Sequence, residues 1–598
     1  MFSASRGRKA RFGWKNPGGI PIYAGVCIAA LLFFSLGLGA ASRSKGAERY
    51  FLLSGFTMAE TGDWLTPVYE EKPRFQKPPL AYWLIAASYK LFGVHLWSAR
   101  LPSAVAGALG VMLTGLLGEW LFRSRRAGLL AALFLATCTG YLIQSRMAVT
   151  DIYLLLFLLV AISLYSMELF STKGSELRRV GMWASMAMAF LSKGHLGIII
   201  PFMIAAAIGP QRGFSLRKAL RPWASPLGWL IFLLIAAPWF VAMRWAHGSL
   251  FFEHLLFSET KRRVGLSLLN IWSNAALYSK KWFLYFFPAS WFLMVVLLDR
   301  KANSGGREER EQRITRFLWT WIASVFFLFV FLVYDFQSSY YLVPLTPAMA
   351  LLVASHAAVR NGGTDRSGKL WHGFFNAMLV LIGTMFMAAA IAIMVMGWWS
   401  VRAFLVNAAL MAVTATGGLK LHRYLKYSES EIWKPLSVVT ATIGAFLIIV
   451  IGLWEPIIKE PAIARMLESA SQRPGPDDLV YAVGISKRDR SWLVVFGRHR
   501  IDRIFYGPSA LKEANLVLQE EKTRGNNRVF LAVYSENLPE LNRAIRQRFV
   551  KVGKNCQMDW EKIRRRLRLK DILAGKLHPG NTEIQECAEL LVSISGSP

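Results

Sequence analysis

Apolar runs of about 20 residues recur between positions 20 and 455, and as helices each is long enough to cross a hydrocarbon core about 30 Å thick. They fall near 20–41, 99–122, 128–144, 150–170, 178–192, 195–210, 225–246, 282–299, 315–334, 341–359, 371–395, 402–420 and 435–454. The pattern predicts an all-α polytopic membrane core of about 13 transmembrane helices. The apolar segment 80–92 is left out of that count: it is short, contains Lys90 and opens after Pro78-Pro79, a helix start. Two long stretches, 42–97 and 246–281, mix aromatics with charges and read as loops at the bilayer interface. Beyond Pro456 hydropathy falls, and Arg473-Pro474-Gly475-Pro476 marks a linker into a small polar α/β domain with short strands at 479–483, 492–496 and 529–533. The organisation expected is a basic N-terminus (1–19), a membrane core (20–455) and a C-terminal soluble domain (456–598).

Composition agrees with a bilayer solvent: of 598 residues 54% are hydrophobic and only 18% charged, too apolar for an ordinary soluble domain. The net charge of +33 would fit nucleic acid if it formed one face, but the Lys and Arg gather in short loops between apolar runs. Basic loops at 123–126, 173–179, 212–221, 300–316, 360–369 and 420–426 fall at every second turn, as the positive-inside bias requires, so the charge reports topology. Arg6, Arg8, Lys9, Arg11 and Lys15 precede a first apolar run too long for a signal-peptide core, which predicts a retained helix with its N-terminus inside. An odd span count then puts the tail in the periplasm, where Cys556 and Cys587 would be free to pair or to stay apart.

The first long loop reads Gly46-Ala47-Glu48-Arg49-Tyr50, then Thr61-Gly62-Asp63-Trp64-Leu65-Thr66-Pro67, then Arg74-Phe75-Gln76-Lys77-Pro78-Pro79. Further along come Ser98-Ala99-Arg100-Leu101-Pro102-Ser103-Ala104, Thr150-Asp151, Leu191-Ser192-Lys193-Gly194 and Tyr340-Tyr341-Leu342-Val343-Pro344-Leu345. This ordered set, spanning roughly residues 45–350, resembles the lipid-carrier-dependent glycosyltransferases of the GT-C superfamily, which include the protein O-mannosyltransferases and the lipid A aminoarabinose transferases. The resemblance implies a GT-C core in the bacterial inner membrane. It would move a sugar from a polyprenyl-phosphate donor to a lipid, lipid A first, or another envelope acceptor on the periplasmic side. The partners expected are donor, acceptor and membrane lipids, with no nucleic acid.

The same resemblance assigns Arg49, Lys77 and Tyr341 to the carrier phosphate, with Lys193 a further cation at the periplasmic end of a span. A phosphate in a low-dielectric cavity needs such charge-paired and hydroxyl donors. For Arg49 and Lys77 the alternative is snorkelling to headgroups, and for Tyr341 an aromatic anchor at the membrane boundary; Tyr50, beside Arg49, is a further candidate. The acceptor hydroxyl needs a carboxylate base. The family's Asp is missing at Gly46-Ala47, which leaves Glu48 as the expected catalytic residue. Gln76 stands where relatives carry a metal-linked Glu, so no obligatory metal is expected there, although His254 with Glu253 or Glu259 offers ligands for a divalent ion. Asp151, at a helix start, is expected to accept N-terminal amides or pair with Arg146, and Asp63 to close a local turn. A transporter or flippase for a polyprenyl-linked sugar, or a binder without turnover, remains the alternative that the missing Asp leaves open.

Overall fold

The computed structural model describes residues 20–39, 47–69, 72–255, 285–298, 309–332 and 339–359, four residues between 272 and 278, and five strands between 479 and 593. Helix α1 (Ile20–Ser35) is followed by α2 (Glu48–Thr61), a two-residue antiparallel ribbon β1 (Val68–Tyr69) and β2 (Lys72–Pro73), and α3 (Leu80–Phe92). Then come α4 (Leu96–Phe122), α5 (Arg125–Thr137), α6 (Thr139–Ser145), α7 (Asp151–Phe170), α8 (Glu176–Lys193), α9 (Leu196–Ile208), α10 (Leu216–Leu220), α11 (Pro226–His247) and α12 (Ser249–Phe252). Helices Ala289–Leu298, Glu309–Phe327 and Thr346–Val359 complete the described bundle, the last preceded by a 3-10 turn at Ser339–Leu345.

Local chemistry sets several of these boundaries. Ser124 and Ser225 cap α5 and α11 by accepting the amides of Ala127 and Gly228, and Pro226 occupies the first position of α11, where its missing N–H is harmless. Gly62 ends α2 with φ 73°, donating its N–H to the Met58 carbonyl, a geometry glycine adopts without strain. Inside α4, Pro102 has no N–H to offer the carbonyl of Ser98, and the Ser88 hydroxyl of α3 donates to that carbonyl instead at 2.5 Å.

Five helices among the described residues are long and apolar enough to cross a membrane: Leu96–Phe122, Asp151–Phe170, Pro226–His247, Glu309–Phe331 and Tyr340–Ala357. Counting the α5–α6 pair, bent by 69°, as one broken span makes six. Helices α1, α3 and α9 are apolar but shorter. At 13 residues each, α3, left out of the expected spans, and α9, counted among them, both rise only about 20 Å. The runs expected at 371–395, 402–420 and 435–454 lie outside the described residues.

α4 packs on α1, α5 and α7, and α8 on α7 and α11, around one continuous apolar core. The close approach of α4 and α5 rests on small residues, as membrane helices require. A Cβ at Gly128 would sit 2.5 Å from the Gly115 carbonyl oxygen and 3.0 Å from the Glu119 nitrogen.

The two ends of the bundle differ. At one end, Arg125 lies 3.8 Å from Glu119, Arg178 and Arg179 lie 2.6 and 3.4 Å from Glu168, Lys218 donates to the Ser171 carbonyl, and Arg316 donates to that of Arg212. Among the described residues, the basic loops at 123–126, 173–179 and 212–221 and the end of 300–316 thus meet on one side, while those expected at 360–369 and 420–426 lie outside the described residues. The other end carries the first long loop and the starts of α4 and α7. In the tail, β3 (Leu479–Ile485), β4 (Arg503–Tyr506), β5 (Val529–Tyr534), β6 (Phe549–Met558) and β7 (Gln585–Ser593) form a sheet of order β4-β3-β5-β7-β6. β3 is parallel to β4 and β5, while β7 is antiparallel to β5 and β6. Two of the three expected strands are β3 and β5, and 492–496 lies outside the described residues.

Candidate functional site

Four chain segments bring ionisable groups together at the end of the bundle opposite the basic loops. Asp151 opens α7 and Lys193 closes α8, and because these helices are antiparallel neighbours the two side chains meet. Lys193 Nζ donates to Asp151 Oδ1 in a buried ion pair, and the Lys193 and Asp151 residues are 7% and 9% exposed. Two phenol rings of the 3-10 turn cover the ammonium, that of Tyr341 at 4.5 Å and that of Tyr340 at 5.4 Å, both within cation–π range. Tyr341 is itself buried and stacks on Phe329, with centroids 5.4 Å apart, so it faces the interior instead of anchoring the surface. The partner of Asp151 is therefore Lys193 and not Arg146, which donates to the carbonyl of Phe34. Burial and the neighbouring Arg100 guanidinium lower Arg146 to about 10, leaving it charged at neutral pH.

A second cluster sits in the first loop. Arg49 donates from Nη2 to the Tyr50 hydroxyl at 2.7 Å, and the Arg74 guanidinium lies over the Tyr50 ring at 4.2 Å while its Nε donates to Tyr82 at 3.0 Å. Tyr50 also packs edge-on against Tyr69. Arg49 Nε is buried with no hydrogen-bond partner among the described residues. Lys77 is half-buried in the turn before α3, and the next turn brings Leu80 into an apolar cluster with Leu191, two residues before Lys193. Through that cluster the loop cations and the Lys193 pair belong to one end of the molecule.

Glu48 occupies the first turn of α2 but points into the protein, fully buried. Arg100 donates to both its oxygens at 2.8 Å, and the Ala148 amide adds a third hydrogen bond at 2.9 Å. Arg100 Nη1 also donates to the Leu38 carbonyl at 3.1 Å. The Glu48–Arg100 pair thus ties α2, α4, the segment after α1 and the approach to α7 together, an arrangement that leaves little room for an incoming proton.

The remaining candidates separate. Gln76 Oε1 is buried without a hydrogen-bond partner among the described residues, next to Phe75, whose ring lies 5.1 Å from His247 and 6.0 Å from His254. His247 shares a 2.8 Å hydrogen bond with Thr66. Glu259 lies outside the described residues, and among those described no group of three His, Cys, Asp or Glu could hold a metal ion. Asp63 accepts the amides of Leu65 and Thr66 and so closes its turn, as its sequence context predicts. Gln144 and Tyr285, linked at 3.1 Å near the Lys193 pair, were missed from the sequence because neither lies in a recognisable motif. Taken together, the cations and phenols can pair with an anionic group, and Asp151 can exchange a proton with a neighbouring hydroxyl.

A family model described as dolichyl-phosphate-mannose-protein mannosyltransferase matches residues 76–241. The undecaprenyl phosphate-alpha-4-amino-4-deoxy-L-arabinose arabinosyl transferase 1 of Pseudomonas fluorescens is 26% identical over 336 residues, covering 54% of this chain and 58% of that protein. An uncharacterised protein of Aquifex aeolicus is 31% identical over 244 residues, covering 40% of this chain and 53% of its own length. The chain thus spans less than two thirds of the length of these curated relatives. Among solved structures, ArnT from Cupriavidus metallidurans bound to undecaprenyl phosphate aligns with a TM-score of 0.65 at 18% identity, covering 96% of this chain and 98% of that one, a likeness of fold. With its ordered motifs, a family model matched at residues 76–241 and a shared fold, the chain is similar to the lipid-carrier-dependent glycosyltransferases of the GT-C superfamily.

Proposed function

We propose that the protein transfers a sugar from a polyprenyl-phosphate donor to a lipid A-like or other envelope acceptor on the periplasmic side of the inner membrane. The observation that carries this reading is the buried Asp151–Lys193 pair under Tyr340 and Tyr341, at the same end of the bundle as Arg49, Arg74 and Lys77. Burying that many ionisable groups in a membrane protein is costly and marks a working site. The basic loops at the opposite end support the orientation by the positive-inside bias.

In the proposed reaction the acceptor hydroxyl attacks the anomeric carbon, the bond from that carbon to the carrier phosphate oxygen breaks, and the proton goes to a carboxylate. The carrier phosphate leaves as a monoester stabilised by Lys193, Arg49 and Lys77, with Tyr341 donating from its hydroxyl. Of the two buried carboxylates discussed, Asp151 is favoured as the proton acceptor. Its one hydrogen-bond partner among the described residues is Lys193, whereas Glu48 already accepts three hydrogen bonds. Glu48, the base expected from the sequence, is assigned instead to holding the helices in register.

The enclosure of Glu48 also favours, as a second reading, a protein that binds or flips the carrier-linked sugar without turnover. The two separate in membranes with and without the expressed protein, given a panel of radiolabelled polyprenyl-phosphate sugars. Transfer expects a labelled envelope product that depends on the protein and on one donor. Carrier binding with no product from any donor would replace it by the binding or flipping reading.

A further inference from the structure

We infer that Gln144 and Tyr285 form a neutral polar recess that recognises the sugar of the carrier-linked donor, an assignment that rests on the transferase reading above. Gln144 lies in the last turn of α6 and is 3% exposed. Its amide nitrogen donates to the Tyr285 hydroxyl at 3.1 Å, and its carbonyl oxygen, equally buried, has no hydrogen-bond partner among the described residues. Turning the amide over would exchange its ends and still leave one of them unpaired. Buried polar atoms are almost always paired, so an amide with one open end calls for a partner from outside the chain, and a ligand group can supply it.

The surroundings would suit an apolar residue if packing were the only demand. Tyr141, Leu142 and Cys138 of the same stretch are all buried in the core. The place of Tyr285 is also fixed: the Thr139 amide and hydroxyl both donate to the Phe287 carbonyl, at 2.8 and 3.1 Å, pinning the 285–288 turn to the start of α6. A Cβ at Gly140 would lie 2.4 Å from the Tyr285 ring, so the ring lies directly on the helix. Tyr285 is within electrostatic reach of both Asp151 and Tyr340. The recess therefore lies within electrostatic range of the ion pair assigned to the reaction, on a helix, α6, that packs against α7 and the 3-10 turn.

Its chemistry narrows the ligand. A carboxamide and a phenol offer both donors and acceptors but no formal charge, which suits the hydroxyl or amino groups of a sugar ring. A phosphate would seek the cations instead. Gln144 is thus a specificity residue for the glycosyl group, distinct from the groups that hold the carrier.

Binding to the full chain in lipid nanodiscs tests this with three probes: undecaprenyl phosphate, undecaprenyl phosphate bearing 4-amino-4-deoxy-L-arabinose, and polyprenyl phosphate bearing mannose. The wild-type chain is expected to prefer one sugar-bearing carrier over the bare one. Gln144→Met, close in volume, and Tyr285→Phe should each reduce that preference roughly tenfold, the size of one lost hydrogen bond, with affinity for the bare carrier unchanged. Variants that keep the preference, or that weaken both forms equally, overturn the assignment and leave the transferase reading standing. A wild-type chain that binds neither form overturns both.

Discussion

Glu48 and Arg100 form a pair whose removal from one side leaves the other charge stranded. Arg100 reaches water with 6% of its side chain and Glu48 with none. Glu48→Gln should therefore lower unfolding stability in detergent by about 3 kcal/mol, as broken buried pairs do, and Glu48→Met with Arg100→Met should recover part of that loss. If the pair is structural, the double variant that folds retains transfer; if Glu48 is the base, it folds and is inactive. At the ion pair, Lys193→Met should weaken undecaprenyl phosphate binding about 10- to 100-fold, the size of a charge-assisted contact, and unchanged binding would remove Lys193 from the phosphate site. Arg49, Lys77, Asp151, Lys193 and Tyr341 were all legible as candidates because each sits in a short motif. Which of them touch was not legible, since Asp151 and Lys193 are 42 positions apart and meet only through the pairing of α7 with α8. The enclosure of Glu48 was not legible for the same reason: both Arg100 and the Ala148 amide come to it from distant segments.

At the scale of elements, hydropathy located the long helices because lipid demands a full apolar span, and α4, α7 and α11 follow it closely. Length was less legible where an element bends or stops early. The run at 128–144 became α5 and α6, bent by 69°, and the first run gave only Ile20–Ser35. α8 has 18 residues yet is not among the helices apolar enough to span, because Arg178, Arg179 and Lys193 occupy its two ends. Helix contacts depend on glycine, which hydropathy does not see. Gly128→Ala should push α5 from α4, since the added carbon meets backbone atoms that cannot rotate away. The expected loss is about 1–3 kcal/mol, the range for overpacked sites, read as a lower unfolding midpoint in detergent. An unchanged midpoint would mean the two helices are not in contact there.

Across the described bundle, charge asymmetry carried the most information, because Lys and Arg at alternate turns converge on one end only if the helices alternate in direction. The tail offers an independent check on sidedness. Cys556 and Cys587 are opposite each other in the β6–β7 register, and directly paired antiparallel residues have Cα atoms about 4.5–5.5 Å apart, within the span a disulfide bridges. A Cys556–Cys587 linked peptide in mass spectrometry of non-reduced protein would place the tail on the oxidising, periplasmic side. The chemistry itself is read by release of bare undecaprenyl phosphate from a sugar-bearing donor by purified protein supplied with acceptor. The wild-type chain should release carrier in step with glycosylated acceptor, and Asp151→Asn should bind donor yet release little. Release undiminished in Asp151→Asn would contradict the assigned base, and no release from the wild-type chain with donor bound would contradict the transferase itself.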